Sequence, residues 1–302
     1  MTQKKIVCVG SIMVDMLCPV DHLPASGEGL VAKDALMALG GCTYNTARII
    51  RQAGGDATLL APVGEGPFAH FVRTQLEAEG ITPWTINEGI DSGAALCLLE
   101  PDGERTMITF PGIERCFRPA WFDCFDASAF DIIEMCGYEL AGESGKAIVG
   151  FAEQNPHLQV VFAPGPTITQ LDAELIARIN ALRPIWHLNC TEALSYTGAA
   201  CMEDAGKAIA AACANAVIIT KGAHGCWLFK GESMTHVPTK STTPVDTTGA
   251  GDSHVGALLA KRAQGASWEE ALEFANAVAG AVCQTIGAGV PDETIAAIAA
   301  RA

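Results

Sequence analysis

No run of clustered lysine and arginine occurs in this 302-residue chain, in which 19 Lys and Arg face 34 Asp and Glu for a formal charge of -15. Nucleic-acid and anionic-membrane surfaces reward grouped cations, so neither is expected as a partner. A phosphate ligand would need local donors instead. No C-x-x-C pair exists among the 12 cysteines, which lie singly from Cys8 to Cys283. They read as reduced core thiols of a cytoplasmic protein rather than as a disulfide framework. No uncharged stretch reaches the roughly 20 residues of a membrane helix. The apolar run from Ile6 follows Lys4 and Lys5, yet Asp15 interrupts it and no small-residue cleavage site closes it. Internal repeats, low-complexity tracts and a linker able to divide the chain are lacking too. Gly10-Ser11-Ile12 is not the start of a G-x-G-x-x-G turn, and no G-x-x-x-x-G-K-[ST] occurs, which excludes a dinucleotide-binding oxidoreductase and a P-loop enzyme.

What is present is apolar: 49% hydrophobic against 18% charged residues supply a sizeable core. Residues 5–10 read as a buried parallel strand, and residues 11–15 continue in alternation so that Asp15 falls just past its carboxyl end, where ligands of open α/β sheets collect. Residues 21–39 hold turn formers and short apolar pieces. Gly40-Gly41 then opens a helix with apolar spacing over 46–53, closed by Gly54-Gly55. A strand over 57–63, an amphipathic helix over 67–79 and a short strand over 81–86 follow. Strands over 94–100 and 105–110, joined by Pro101-Asp102-Gly103-Glu104, form a hairpin. Both carry apolar residues on both faces, as expected of a lid covered by substrate on one side and by a partner subunit on the other.

The second half resumes the alternation, with strands at 131–136, 158–162, 185–188 and 216–221 and helices at 143–154 and 171–182. A hairpin around Lys230-Gly231 and helices over 255–264, 267–285 and 292–300 complete the chain. The expected fold is α/β, a doubly wound, mostly parallel sheet flanked by helices. It forms one domain over 1–302 with a small antiparallel β lid inserted at about 12–38 and 92–112.

Chemistry concentrates in a few stretches. Asp246-Thr247-Thr248-Gly249-Ala250-Gly251-Asp252 precedes an apolar helix, and two glycines spaced by one small residue present N–H groups beside the positive end of the helix dipole. Asp252 there is either a helix N-cap or a carboxylate with a proton to take. Asn189-Cys190-Thr191-Glu192 has the form of a capping box. Thr220-Lys221-Gly222-Ala223-His224-Gly225 is a glycine turn after a strand, and Asn45 lies in the first turns after Gly40-Gly41.

In order and spacing these pieces make the chain resemble the ribokinase-like (phosphofructokinase-B) carbohydrate kinases along nearly its whole length, in particular a bacterial branch of sugar kinases without an assigned substrate. The resemblance implies ATP-dependent phosphorylation of a sugar hydroxyl, with Asp252 as general base and the N–H groups of Gly249, Ala250 and Gly251 as anion hole. It places Asp15, Gly40, Gly41 and Asn45 on vicinal hydroxyls, Thr220, Lys221, Gly222 and Gly225 around the ATP phosphates and ribose, and Asn276 near the base. Asn189 and Glu192 would hold Mg²⁺ through water. A monovalent cation such as K⁺ would take backbone oxygens of Asp246, Thr248 and the Gly287-Ala288-Gly289 loop.

Ribokinases proper carry Lys-Gly-Ala where this chain has Cys42-Thr43-Tyr44, which speaks against ribose. A nucleoside kinase, including the pseudouridine type, and a non-catalytic sugar sensor are the other readings on the same scaffold; the vitamin-kinase branch tends to lack the lid hairpin. Tyr44 is read as stacking on a ligand or as core, and Arg105 as a contact for an acidic sugar or as a solvated hairpin residue. A homodimer through the lid is expected.

Overall fold

The computed structural model describes residues 3–32, 34–101, 104–240 and 242–300. Asp102 and Gly103, at the tip of the expected hairpin, lie outside the described residues. The first strand, β1 (Lys5–Val9), sends Ile6 and Cys8 to one face and Val7 and Val9 to the other, all buried, as a central parallel strand requires. Then come β2 (Met13–Pro19), β3 (Leu36–Gly40), α1 (Cys42–Gln52), β4 (Asp56–Leu60), β5 (Pro62–Val63), α2 (Pro67–Ala78), β6 (Trp84–Thr85), β7 (Ala94–Leu99) and β8 (Arg105–Phe110). The second half runs β9 (Ile132–Cys136), α3 (Gly142–Gln154), β10 (Gln159–Ala163), α4 (Ala173–Ala181), β11 (Ile185–Asn189), α5 (Cys190–Thr197), α6 (Met202–Cys213) and β12 (Ala216–Thr220). The chain ends with β13 (Cys226–Lys230), β14 (Ser233–Val237), α7 (Ala250–Ala263), α8 (Trp268–Val282) and α9 (Asp292–Ala299).

Eight strands form the main sheet in the order β14-β13-β12-β11-β10-β9-β1-β4, all running one way except β13, which is antiparallel to both of its neighbours, β12 and β14. From β1 the chain winds outward first to β4 and later, through β9, the other way. The crevice between the carboxyl ends of β1 and β9 is therefore the switch point at which such sheets bind ligands. Two apolar layers sandwich the sheet. Side chains of α3, α4 and α6 pack with Trp186, Phe162 and Phe229 on one face, and those of α1, α7 and α8 fill the other.

The lid is a second sheet, β3-β2-β7-β8, built from two separate insertions. Its outer pairs are antiparallel, and β2 with β7, one strand from each insertion, run parallel. Its neck is held by Glu114, which is 1% exposed: its carboxylate accepts the Gly93 N–H at 2.9 Å and the Gly112 N–H at 2.8 Å. A Cβ on Gly112 would lie 2.2 Å from the Gly93 nitrogen, so the two chain crossings touch backbone to backbone.

Several boundaries differ from the sequence expectation. β3 emerges from a stretch read as turns, because its pairing with β2 rather than any local pattern makes it a strand. The strand expected over 57–63 is divided into β4 and β5, and only Trp84 and Thr85 of the strand expected over 81–86 pair, with β5. α6 was not expected at all. It packs Gly206 against the ring of Phe229, where a Cβ would lie 2.5 Å from Cζ, so its least helix-favouring residue serves packing.

Candidate active site

The N–H groups of Val245 and Asp246 donate to the Cys283 carbonyl at 2.7 and 3.2 Å, which turns the chain toward α7. Gly249 caps α7 with φ 68°, and a Cβ on it would stand 2.5 Å from the Cβ of Ala288, so conformation and space both demand glycine. The Ala250 N–H is turned to the Thr247 carbonyl at 3.3 Å, while the helical ladder begins with Ser253 N–H on the Gly249 carbonyl at 2.8 Å. The N–H groups of Gly251 and Asp252 stand ahead of that first rung, at the positive end of the helix. Asp252 is not the N-cap; Gly249 holds that position and Asp252 is the third residue of the first turn.

The Asp252 carboxylate is gripped from α1, where Asn45 donates through Nδ2 to Oδ2 at 2.9 Å and the Thr46 hydroxyl bonds the Asp252 carbonyl at 3.3 Å. Burial raises its carboxyl above the ordinary range, and the hydrogen bonds from Asn45 and the Cys42 thiol pull against that shift. α1 itself starts at Gly41, whose φ of 99° and whose Cβ position, 2.8 Å from the Ser11 carbonyl oxygen, leave no room for another residue. Gly40 gives space to Asp15 on the neighbouring strand: a Cβ there would lie 2.1 Å from Asp15 Oδ2. Burial, then the charge of Asp252, pushes the Asp15 carboxyl up to about 6, against the pull of Arg105. Asp15, Gly40, Gly41, Asn45 and Asp252 thus meet at one place. Tyr44 does not; it is buried, with its hydroxyl on Glu79 at 2.6 Å.

At the carboxyl end of β11 the capping box is complete. Asn189 Oδ1 accepts the Glu192 N–H at 2.9 Å, Glu192 Oε2 accepts the Asn189 N–H at 2.9 Å, and Asn189 Nδ2 donates to Glu192 Oε1 at 2.7 Å. Burial raises the Glu192 carboxyl, the Asn189 N–H lowers it, and Asp252 raises it further. Asn189 is the register neighbour of Thr220, so the capping box and the next loop lie side by side. In that loop Lys221 N–H bonds the Gly225 carbonyl at 2.8 Å and Gly225 N–H the Gly222 carbonyl at 3.0 Å. Gly222 (φ 51°) and Gly225 (φ 81°) are both left-handed, and Lys221 is exposed.

Asn276 is buried and its side chain is committed. Nδ2 donates to the Val237 and Pro238 carbonyls at 3.1 and 3.3 Å, and Oδ1 faces His254 Nε2 at 3.2 Å. His254 Nδ1 in turn pairs with His187 Nε2 at 2.8 Å, a buried chain linking α8, α7 and β11. Arg105 is neither solvated nor free for a sugar: its guanidinium pairs with the Asp246 carboxylate, which also accepts the Thr248 and Gly287 N–H groups, each at 2.7 Å.

Two acids here carried no sequence signal, because each sits where strand or loop spacing predicts an ordinary residue. Glu134 on β9 and Glu139 just beyond it are 1% and 2% exposed, each with one carboxylate oxygen lacking a protein partner. Burial raises both, Glu139 to about 7. A cavity of about 340 Å³ opens between the lid and the Asp246 segment, lined by Leu99, Arg105, Val245, Asp246 and Ile286 among others. A larger one, about 730 Å³ beside Arg48, Gln52 and Gly289, touches the expected site only at Gly289 of the expected cation loop and is lined by none of the residues expected to hold sugar, nucleotide or Mg²⁺.

Among described residues no cluster of three or more His, Cys, Asp or Glu side chains could hold a metal directly, and no helix is long and apolar enough to cross a membrane. The uncharacterized sugar kinase YegV of Escherichia coli (strain K12) is 31% identical over 282 residues, covering 92% of this chain and 88% of that protein. Ribokinase of Mus musculus is 27% identical over 93% of this chain and 90% of its own length. In fold the chain is similar to ribokinase from Thermotoga maritima, with TM-score 0.85 at 23% identity, covering 98% of this chain and 99% of that one. Adenosine kinase from Sinorhizobium meliloti is likewise similar, with TM-score 0.86 at 20% identity over 100% of both chains. The model of the pfkB family carbohydrate kinases matches residues 3–295, and the chain belongs to that family.

Proposed function

We propose that the protein transfers the γ-phosphoryl group of ATP to a hydroxyl of a small sugar or sugar derivative. The carrying observation is Asp252, a carboxylate in the first turn of α7, raised by burial and held by Asn45 at 2.9 Å, between the hydroxyl-binding side and the helix N–H groups. A carboxylate beside an anion seat costs electrostatic energy unless it has a proton to take. In this reading the sugar, hydrogen-bonded to Asp15, Asn45 and the backbone at Gly40 and Gly41, gives its hydroxyl proton to Asp252. Its oxygen attacks the γ-phosphorus as the bond to ADP breaks, and Gly251 and Asp252 N–H groups hold the transferring oxygens. Loss of one such donor typically costs about 10²–10³ in rate.

The acids also suit Mg²⁺, a hard cation that keeps much of its water. Glu192, Asp15 and Glu134 are all raised in part by the charge of Asp252, which marks a site short of positive charge. Asn189 and Glu192 would hold the ion through water, where it would neutralise the ATP phosphates. Thr220, Lys221, Gly222 and Gly225 would border the nucleotide, whereas Asn276 serves it indirectly, by fixing the exit of β14.

One observation favours a nucleoside as the second reading. Strand register puts Leu36, Leu17, Cys97 and Met107 in one row, on the lid face that carries Asp15 and Arg105. Such a row would cover an apolar base better than a bare sugar. The opposite face leaves Met37, Ile108 and Phe110 42%, 49% and 47% exposed, and we infer that a second copy of this chain covers it.

An ATP-consumption screen over pentoses, hexoses, keto-sugar acids and nucleosides tests the function. Turnover of one class, lost by about 10²-fold or more in Asp252→Asn with ATP binding retained, is the expected result. No turnover across the panel would leave a sensor, and full activity of Asp252→Asn would end the base assignment.

A further inference from the structure

We propose that Arg105 is a built-in cation: from the lid it supplies the positive charge beside Asp246, so that this kinase needs no monovalent metal ion there. Asp246 is 6% and Arg105 17% exposed in their side chains, and they lie 141 residues apart in sequence. An ionised carboxylate offers about four lone-pair directions. Oδ1 takes the Thr248 N–H at 2.7 Å and Arg105 Nη2, while Oδ2 takes the Gly287 N–H at 2.7 Å and Arg105 Nη1 at 3.1 Å. All four are filled. A K⁺ ion on the backbone oxygens of Asp246, Thr248 and residues 287–289 would stand against a carboxylate already neutralised by a guanidinium. The residues present therefore do not fit the ion.

The same contacts define what the charge does. Asp246 ties the turn before α7 to the Gly287 loop, and Ala288 of that loop packs against Gly249, the cap of α7. Burial pushes the Asp246 carboxyl up, but the N–H groups of Thr248 and Gly287, with Arg105, outweigh it and keep the group ionised. Arg105 stands opposite Leu99 on β7, and alternation along β7 and β8 turns it to the face of Asp15 and Cys97. It is a positioning residue: the frame of the anion turn is complete only when the lid is latched to it.

The inference rests on the kinase reading, and its test has one arm that does not. With the sugar found in the screen, wild-type kcat/KM is expected to change less than about twofold between tetramethylammonium and potassium buffers. Arg105→Ala should lose about tenfold or more in tetramethylammonium and regain much of it in potassium, which refills the vacated charge. In thermal melts without any substrate, K⁺ should raise the Tm of Arg105→Ala and leave wild type unmoved. Should Arg105→Ala not fold, Arg105→Gln keeps the stem and loses the charge, and carries the same two readouts. A wild type stimulated or stabilised by K⁺, or an Arg105 variant indifferent to K⁺ in both readouts, overturns the proposal. If no sugar turns over, the melting arm still decides it.

Discussion

Gly40→Ala isolates the substrate-side carboxylate without touching the base. The φ of Gly40 lies outside the left-handed region, so alanine fits its backbone. The added Cβ would stand 2.1 Å from Asp15 Oδ2, 2.4 Å from Cγ and 2.7 Å from Oδ1. Ordinary contact begins at 3.4 Å, so Oδ2 must retreat by about 3.4 − 2.1 = 1.3 Å. No hydrogen bond from a substrate hydroxyl survives such a shift, and bonds to charged groups contribute about 1.5–3 kcal/mol. At tenfold per 1.4 kcal/mol, the KM for the sugar should rise roughly 10- to 100-fold. The KM for ATP should stay within about twofold, because Asp252 keeps its Asn45 partner. A displaced rotamer costs about 0.5–1.5 kcal/mol, which in a chain of this size lowers Tm by about 1–2 °C. Gly280→Ala, where a Cβ meets nothing within 4 Å, is the control. A wild-type sugar KM in Gly40→Ala would refute the role given to Asp15. A collapse of Tm would show that the change spreads beyond it.

Two further perturbations read the carboxyl groups directly. The acid limb of kcat/KM should follow the base Asp252, whose carboxyl is raised by burial, and Asn45→Ala, by removing a bond that lowers that carboxyl, should move the limb to higher pH; an unmoved or lowered limb rejects that role for Asn45. Glu139 has its carboxyl raised to about 7, chiefly by burial, from 4.5, so the native state takes up a proton across that window and wild-type stability falls as pH rises through it. Glu139→Gln removes this dependence, and in urea unfolding its advantage over wild type should grow by about 3 kcal/mol from below pH 4.5 to above pH 7. An advantage that shrinks with rising pH would contradict the sign.

Local pattern carried most of the architecture. β1, the glycine-started α1 and the turn into α7 each write their structure into adjacent residues, as apolar alternation or as a glycine that nothing else can replace. β3 was hidden because Leu36 and Met37 are exposed on a short edge strand and only β2 gives the segment a partner. The candidate site's geometry was legible where a motif holds it, as at Asn189 and Glu192, whose capping box orients their carboxylate and amide. Contacts spanning the chain were not. Nothing near Arg105 announces Asp246, and Glu134, Glu139, His187 and His254 owe their burial to neighbours from distant elements.

The Glu114 neck has a mechanical consequence. With the Gly93 and Gly112 amides pinned to one carboxylate, two of the strands' crossings between the sheets stay at fixed separation. The two insertions share the continuous β2–β7 ladder, so neither can swing alone. Shear along that neck would break the two Glu114 bonds, whereas rotation about it would keep them. A single axis would then carry Asp15 and Arg105 together, so that in the proposed reaction loading the sugar side and engaging the Asp246 latch would become one stroke rather than two.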